Sequence, residues 1–481
     1  MAKLTDQDIE AIAQKIVSDL KGAAPAPSAS VERTPAAAVA GPGVFQTLDE
    51  AVAAAGKAQP VFVALPMETR AKIIENIRKS MMENSVALAK AAHEETGLGR
   101  FEDKIVKNQL VTMKTPGIED LPPKAYTGDH GLTLEEPAPF GVIGSITPTT
   151  NPTSTIICNT IGMIAAGNSV VFNCHPSAVN CSMQTIVLLN KAIMEAGGPP
   201  NVITAVAKPT IESAQALMKH PGIRLLVVTG GGGVVKAAME SGKRAICAGP
   251  GNPPVVVDET ADLEQAGRDI VLGASTDNNI ICADEKEVLV VSSVADKLIQ
   301  VMTRNNAVLI DKSKLQALEK VIFKEMAGPR GHATVNRDCI GKNADVILAK
   351  MGMNVPSTTR LGIIEVDQNH PLVWTEQMMP ILPIVRVPDA SYAIDFAVEV
   401  EGGCRHTFVM HSRNIDNLSK MAKKCNASLF VKNGRSQTAF GLGGEGYCSF
   451  TIASPTGEGM TGPHSFSRSR RCILVDHFRI V

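Results

Sequence analysis

Apolar positions change their spacing along the chain, and each change marks a region. In the first twenty residues Ile9, Ile12, Ile16 and Leu20 recur at intervals of three and four, with Ala13 and Val17 beside them. That spacing draws one apolar stripe along a helix. Thr5 followed by Asp8 resembles an N-terminal capping box, with Asp in place of the usual Glu. A helix of about 15 residues is marginal alone in water, so the stripe over residues 1–20 predicts docking. Residues 21–43, rich in Ala, Pro, Ser and Gly, have the composition of a flexible linker. Packing on its own chain, or a frayed terminus, is the plain alternative. The linker favours a separate partner, because it removes any need for self-packing.

From Val44 to Asn108 the spacing is helical again. Thr47-Leu48-Asp49-Glu50 opens one helix and Pro66-Met67-Glu68 another; Ser85 to Ala92 continues the pattern, which Gly97 and Gly99 end. From Gly141 short apolar runs alternate with helical stretches: Gly141–Ile146, Ser169–Phe172, Val202–Val206, Leu225–Val228 and Pro254–Val257. Glu287–Ser293 and Ile381–Val387 begin a second such series. Strands alternating with helices predict an α/β fold with a parallel sheet covered on both faces. No short-period repeat is present.

The 481 residues suffice for about two to four domains. Lys+Arg number 47 and Asp+Glu 48, so the basic surplus of a nucleic-acid binder is missing. Aromatic residues are 4%, too few for base-stacking platforms. No apolar run approaches the ~20 residues of a membrane span, and Thr5, Asp6, Gln7, Asp8 and Glu10 break up any signal core. Ten Cys, irregularly spaced and without a CxxC pair, read as reduced thiols rather than a disulfide framework or a zinc site. No HExxH occurs, and no metal is expected. A soluble intracellular enzyme is the class that remains.

Four stretches carry candidate chemistry. Thr229-Gly230-Gly231-Gly232-Gly233 follows an apolar run and precedes a helical one. Strand, glycine turn and helix let backbone N–H groups approach an anion, although a glycine turn is as often merely structural. Gly141 to Pro152 runs an apolar strand into a Thr/Pro/Asn turn, at the end of a strand where open α/β sheets bind ligands. Cys282 follows the polar turn Asp277-Asn278-Asn279; nine other Cys compete for a nucleophile's role, and Cys158, Cys174, Cys247 and Cys472 read as packing residues. Arg468, Arg470 and Arg471 form a basic cluster, as fitting for a solvated face or a subunit contact as for phosphate.

The stretches GVIGSITPTTNPTSTIICNTIGMIAAGNSVVF, TGGGG, AGPGNPPVVVDETADL, DNNIICADEKEV, EGGCRHTFVMHSRNIDNLS, FVKNG and PTGEGMTGPHSFSRSRRC together resemble the aldehyde dehydrogenase superfamily. Within it they resemble the coenzyme A-acylating enzymes of bacterial microcompartments, of the ethanolamine- and propanediol-utilisation type, the former nearer. The resemblance covers about Val44 to Val481, and the N-terminal segment resembles the encapsulation peptides of such enzymes. It implies an aldehyde dehydrogenase fold: a Rossmann-like dinucleotide domain over 44–120 and 137–250, an α/β catalytic domain over 251–455, and a small oligomerisation sheet from 121–136 and 463–481. It also implies a homodimer or homotetramer, loaded through residues 1–20 onto a shell protein in the lumen of a microcompartment in the bacterial cytoplasm.

The implied reaction joins a short aldehyde, acetaldehyde or propionaldehyde, to coenzyme A with reduction of NAD. The two aldehydes differ by one methylene, worth only about 1–3 kcal/mol in an apolar pocket, so mixed activity is expected. The resemblance assigns the nucleophile to Cys282, which forms a thiohemiacetal and then a thioester. As donors for the oxyanion the resemblance implies the Cys282 N–H and an Asn amide in the strand-turn. A gapless count places Thr150 at that Asn position, with Asn151 one residue on, so both are candidates. Thr147, Pro148 and Thr149 match the turn lying along the dinucleotide, His175 and Pro176 its adenosine side, and Thr229, Gly230 and Gly231 the pyrophosphate turn. Glu376 matches the residue holding the nicotinamide ribose. Two departures stand out. Ala248 occupies the place of the Glu that activates water in hydrolytic members, and Asn173 that of their Lys at the adenosine ribose. The first speaks for acyl transfer to a thiol. The rivals are a hydrolytic enzyme releasing free acid and an inactive shell-docking protein.

Overall fold

The computed structural model describes residues 39–481. The helix expected over 1–20, and the linker as far as residue 38, lie outside the described residues. The linker's last residues are anchored: Asn190 Nδ2 donates to Pro42 O at 3.3 Å, and Val44 N donates to Gly41 O at 3.2 Å. Gly43 has φ +88°, and a Cβ there would lie 2.4 Å from Ile203 O. Residues 41–43, expected in the linker, thus already make packed contacts with the first sheet and its helices.

The chain forms two compact units. The first comprises the described residues up to Glu95, Ile105–Ala248 and Tyr447–Val481; the second comprises Thr96–Lys104 and Gly249–Gly446. The cuts differ from the expected domain bounds in three places: 96–104 and 249–250 go with the second unit and 447–455 with the first.

The first unit is built on a six-stranded parallel sheet in the order Val44–Phe45, Ile203–Val206, Ser169–Asn173, Val142–Ile146, Leu225–Thr229, Ala245–Ala248. Its inner strands are almost wholly apolar because both faces are covered. Leu48–Val63 starts where expected: Thr47 Oγ1 accepts from Glu50 N at 3.3 Å and Glu50 Oε2 from Thr47 N at 3.1 Å, a complete capping box. Met67–Glu83 and Ser85–Thr96 follow, and Gly97 and Gly99 end the run with φ +65° and +72°. Pro152–Ala165, with Pro at its first turn, is buried on every side. Gly144 is needed in the central strand, since a Cβ would press to 3.1 Å from Ile223 and Leu217.

The strand order places Val142–Ile146 between Ser169–Asn173 and Leu225–Thr229. The chain winds outward one way from 142 and the other way from 225. That reversal is the switch point outside whose carboxyl ends α/β sheets open a crevice. A separate antiparallel sheet joins Lys124–Gly128, Gly131–Pro139 and Ser467–Val475, with Ser467 opposite Pro139 and Val475 opposite Gly131. Its edge strand exposes Ile473, Leu474 and Val475.

The second unit has a seven-stranded parallel sheet, ordered Ala307–Leu309, Leu361–Glu365, Ile381–Val387, Glu287–Val291, Pro254–Val257, Thr407–His411, Leu429–Lys432. Its strands alternate sides residue by residue. Val255, Val257, Val288 and Val290 pack with Ile270, Leu298 and Met302 on one face. Val256, Leu289 and Val291 pack with Phe396, Phe408, Leu418 and Met421 on the other. Among the described residues no helix is long and apolar enough to cross a membrane.

Leu289 lies fully buried mid-sheet, whereas Val308 is half-buried on the edge strand. Leu289→Ala is expected to cost about 2–5 kcal/mol and Val308→Ala under about 1 kcal/mol. Differential scanning calorimetry of the two variants checks the ranking.

Candidate active site

In the second unit the helix Leu263–Ser275 gives way to a turn in which Asp277, Asn278 and Asn279 have φ of 46°, 57° and 64°. Left-handed backbone costs most residues about 1–2 kcal/mol each, and Asn and Asp are the non-glycine types that visit it most readily. Every side chain of the three is tied down. Asp277 Oδ1 accepts from Arg100 N at 2.7 Å, and its Oδ2 pairs with the buried Lys104 Nζ at 3.0 Å. Asp277 N donates to Asp103 Oδ2 at 2.8 Å, and Asp103 in turn pairs with Arg360. Gly99 lets Asp277 come this close, since a Cβ there would lie 2.0 Å from Asp277 Oδ1. Asn278 Nδ2 donates to Gly341 O and Asn343 Oδ1, and Asn279 Nδ2 to Ala274 O and Glu285 O.

Three residues beyond this turn stands Cys282, half-buried. Burial, then the Glu376 carboxyl, push its thiol up to about 12, while the Lys286 ammonium pulls the other way. Glu376 accepts from Gly251 N at 3.4 Å, and burial raises it. Gly251 is closely enclosed: a Cβ there would lie 2.6 Å from Cys282 O and 3.1 Å from His406 Cγ. His406 is buried; its Nδ1 lies 2.7 Å from Thr407 Oγ1 and its Nε2 has no partner. Burial, then Lys286, push the imidazole down to about 4, so it is neutral at neutral pH.

The segment after Cys282 buries Asp284, Glu285, Lys286 and Glu287. Asp284 accepts from Ile281 N and from Gln437 Nε2, at 3.2 and 2.6 Å. Ser436 N and Oγ donate to Glu285 at 2.7 and 2.9 Å, yet burial still raises this carboxyl to about 7. Glu287 has no hydrogen-bond partner on either oxygen, and burial pushes it well above the carboxylate range.

In the first unit, the loops leaving three neighbouring strands bring together most of the residues expected at the dinucleotide. Thr147, Pro148, Thr149, Thr150 and Asn151 follow Val142–Ile146; Gly230 and Gly231 follow Leu225–Thr229; His175 and Pro176 follow Ser169–Asn173. Thr147 Oγ1 and Thr149 Oγ1 are buried without partners. Thr229 Oγ1 lies 3.1 Å from Thr451 Oγ1, which bonds Asn159 Oδ1 at 2.9 Å. Gly230 N donates to Ala248 O at 3.1 Å. Around Gly231, Gly232 and Gly233 a Cβ would meet open space, so the chain's own packing does not demand these glycines. Open backbone and unpartnered hydroxyls at a switch point fit a dinucleotide phosphate. Asn173 Oδ1 accepts from Ser213 Oγ at 2.5 Å. His175 Nδ1 accepts from Ser177 N, and burial lowers the imidazole. Asn151 Oδ1 accepts from the buried Lys107 Nζ at 2.6 Å, and its Nδ2 donates to Thr150 Oγ1 at 3.2 Å.

Sequence patterns did not single out His406, Lys286 or Lys107. His406 stands in the matched stretch EGGCRHTF, but a lone His there carries no spacing signal. Cys472 corrects an expectation: it is exposed on the edge strand, whereas Cys158, Cys174 and Cys247 are buried as packing residues. No group of side chains suited to a metal occurs among the described residues.

A profile of the aldehyde dehydrogenase family matches residues 43–450, and the chain belongs to that family. It is 50% identical over 479 residues to the acetylating acetaldehyde dehydrogenase EutE of Salmonella typhimurium, covering 99% of this chain and all of the relative. It also superposes on a propionaldehyde dehydrogenase from the fucose-utilisation microcompartment of Clostridium phytofermentans: TM-score 0.88, 47% identity, 92% of this chain and 100% of the other. A propionaldehyde dehydrogenase of Rhodopseudomonas palustris with bound propionyl-CoA matches with TM-score 0.87 and 48% identity, over 90% of this chain and 95% of the other.

A carboxyl raised from 4.5 to about 7 by folding costs stability once it ionises. The stability present below the unfolded value is lost as pH rises through about 7, by about 3 kcal/mol. Glu285→Gln is expected to remove that slope. Denaturation followed from pH 5 to 8 should show the variant overtaking the parent as pH rises.

Proposed function

We propose that the chain oxidises a short aldehyde, acetaldehyde or propionaldehyde, and transfers the acyl group to coenzyme A. The observation that carries this is Cys282: a half-buried thiol set by a turn whose three side chains are all hydrogen-bonded to other elements or the flanking backbone, in a chain half identical over its whole length to an acetylating acetaldehyde dehydrogenase.

The thiol of Cys282 adds to the aldehyde carbon. A carbon–sulfur bond forms, the carbonyl π pair moves onto oxygen, and the thiol proton must leave. The resting thiol is held protonated by burial and Glu376, so a nearby base has to accept that proton. His406, neutral and with an unpartnered Nε2, and Glu376, its basicity raised by burial, are the acceptors assigned in this unit. The residues assigned to the dinucleotide would hold NAD, which would supply a hydride acceptor for the thiohemiacetal carbon; as the oxygen's electron pair re-forms the carbonyl, Cys282 would be left carrying a thioester. The coenzyme A thiolate then attacks that thioester and expels the Cys282 thiolate.

For the oxyanion, Asn151 is favoured over Thr150. Lys107 occupies its Oδ1, which fixes the amide and leaves an Nδ2–H beyond the one given to Thr150. Thr147, Thr149, Thr229, Gly230 and Gly231, with Pro148, His175 and Pro176, are assigned to the dinucleotide, and Glu376 to the nicotinamide ribose. Ala248 offers a methyl where hydrolytic members carry a water-activating Glu, which favours a thiol as acyl acceptor.

Residues 1–20 are assigned to docking on a microcompartment shell protein, and the sheet holding Ser467–Val475 to association of identical chains. Its exposed edge supports the second assignment.

NADH formation from each aldehyde, with and without coenzyme A and with products identified by mass, tests the reaction. Acyl-CoA formed only with coenzyme A is expected. Steady turnover to free acid without it would contradict the assignment. Cys282→Ala should lower turnover by at least about 1000-fold. Deleting residues 1–20 should leave kcat within about twofold while abolishing co-purification with shells, and retained co-purification would refute the docking role.

A further inference from the structure

Lys286 is a buried cation of the second unit that the reaction above does not use, and unlike Lys104 it is hydrogen-bonded to neutral oxygens. Its side chain is fully buried. Its Nζ donates to Asn279 Oδ1 at 2.6 Å, to Asn279 O at 2.9 Å and to Ile281 O at 3.2 Å. All three acceptors are neutral oxygens. They lie on the turn leading to the nucleophile, and Ile281 is bonded directly to Cys282. The lysine's own backbone is clamped as well: Lys286 N donates to Pro253 O at 2.9 Å, and Gln377 Nε2 donates to Lys286 O at 2.6 Å.

A buried ammonium is expensive unless paired or used. A lysine needed only to tie carbonyls together would do so as well with a neutral donor. We propose that Lys286 is a positioning residue for the nucleophile: its ammonium clamps the Asn279 and Ile281 carbonyls that set the Cys282 turn, and its charge faces the sulfur as negative charge collects there. The proposal rests on Cys282 being the nucleophile.

The charge environment agrees. The titratable groups facing Lys286 are Cys282, Asp284, Glu285, Glu287, Glu376 and His406. Those facing Cys282 are Glu376, Asp284 and Lys286 itself, so Lys286 is the cation among them. Burial drives Asp284 and Glu287 well above the carboxylate range. That direction favours their neutral forms, which offset the lysine's charge less than carboxylates would. Both acid–base steps at Cys282 feel that charge: ionisation before attack on the aldehyde, and departure of the thiolate when coenzyme A takes the acyl group.

Two full-length variants separate charge from shape. Lys286→Gln keeps a hydrogen-bond donor for the carbonyls and removes the charge. Lys286→Arg keeps the charge but cannot set one nitrogen against three oxygens. The first readout is the pH dependence of iodoacetamide alkylation, followed by mass on the peptide carrying Cys282, in protein without substrate. It needs no turnover, so it stands apart from the assigned reaction. If alkylation of Cys282 titrates normally and turnover is absent, the reaction fails and not the lysine's role. Lys286→Gln should slow Cys282 alkylation about tenfold or more at each pH between 7 and 9, where the rate follows the thiolate fraction. A rate equal to the parent's would overturn the charge role. Lys286→Arg should keep the alkylation rate while lowering kcat about tenfold, with KM for the aldehyde little changed. Parental kcat in the Arg variant would overturn the clamp. Either variant decides its half if the other fails to fold.

Discussion

The structure around Cys282 depends on one costly piece of backbone. Asp277, Asn278 and Asn279 are consecutive left-handed residues. Asp and Asn visit this backbone more readily than other non-glycine residues, but three in succession still need outside ties to hold them. They are kept in place by what the side chains reach: Arg100, Asp103 and Lys104 for Asp277, Gly341 and Asn343 for Asn278, and the flanking backbone for Asn279. Each tie satisfies a buried polar group that would otherwise be orphaned, so strain and burial stabilise each other. The short segment Thr96–Lys104 is therefore part of the second unit, although the chain leaves it at once for the first.

That rigid turn sets up the electrostatics. A thiol buried beside carboxyl groups resists ionisation, which protects it at rest. The same enclosure suits an acyl-enzyme that has to survive until a second thiol arrives, because a dry site slows adventitious hydrolysis. Neutral His406, raised Glu376 and the ammonium of Lys286 give the site ways to move a proton and to face a thiolate without a solvated base. The first unit works differently. Its contribution is backbone and hydroxyl at the carboxyl ends of adjacent strands, with unpartnered Thr147 and Thr149 hydroxyls beside an open glycine turn.

Much of this was legible in the residues because buried parallel strands announce themselves. Leu225–Val228 and Pro254–Val257 are apolar throughout, since both faces of each sheet are covered. Thr47 with Glu50 wrote its capping box in local sequence, and Gly97 and Gly99 stood where the backbone turns left-handed. Long-range pairing was not legible. Nothing near Asp277 in sequence indicates Lys104, which sits 173 residues away. The run Asp284-Glu285-Lys286-Glu287 has the composition of a solvated face yet is wholly buried: Ser436, Gln437 and the turn carbonyls satisfy its first three residues, while burial raises the unpartnered Glu287 carboxyl. Cys472 failed for the opposite reason. Its apolar neighbours Ile473, Leu474 and Val475 lie on an edge strand that the single chain leaves open.

The central claim is that Cys282 carries the acyl group and releases it to a thiol rather than to water. Intact-mass analysis after incubation with propionaldehyde and NAD, without coenzyme A, tests it directly. One propionyl adduct per chain is expected, mapped to the peptide holding Cys282, stable over the time of a normal turnover and discharged when coenzyme A is added. An unmodified chain accompanied by accumulating propionate, or an adduct on another cysteine, would contradict it.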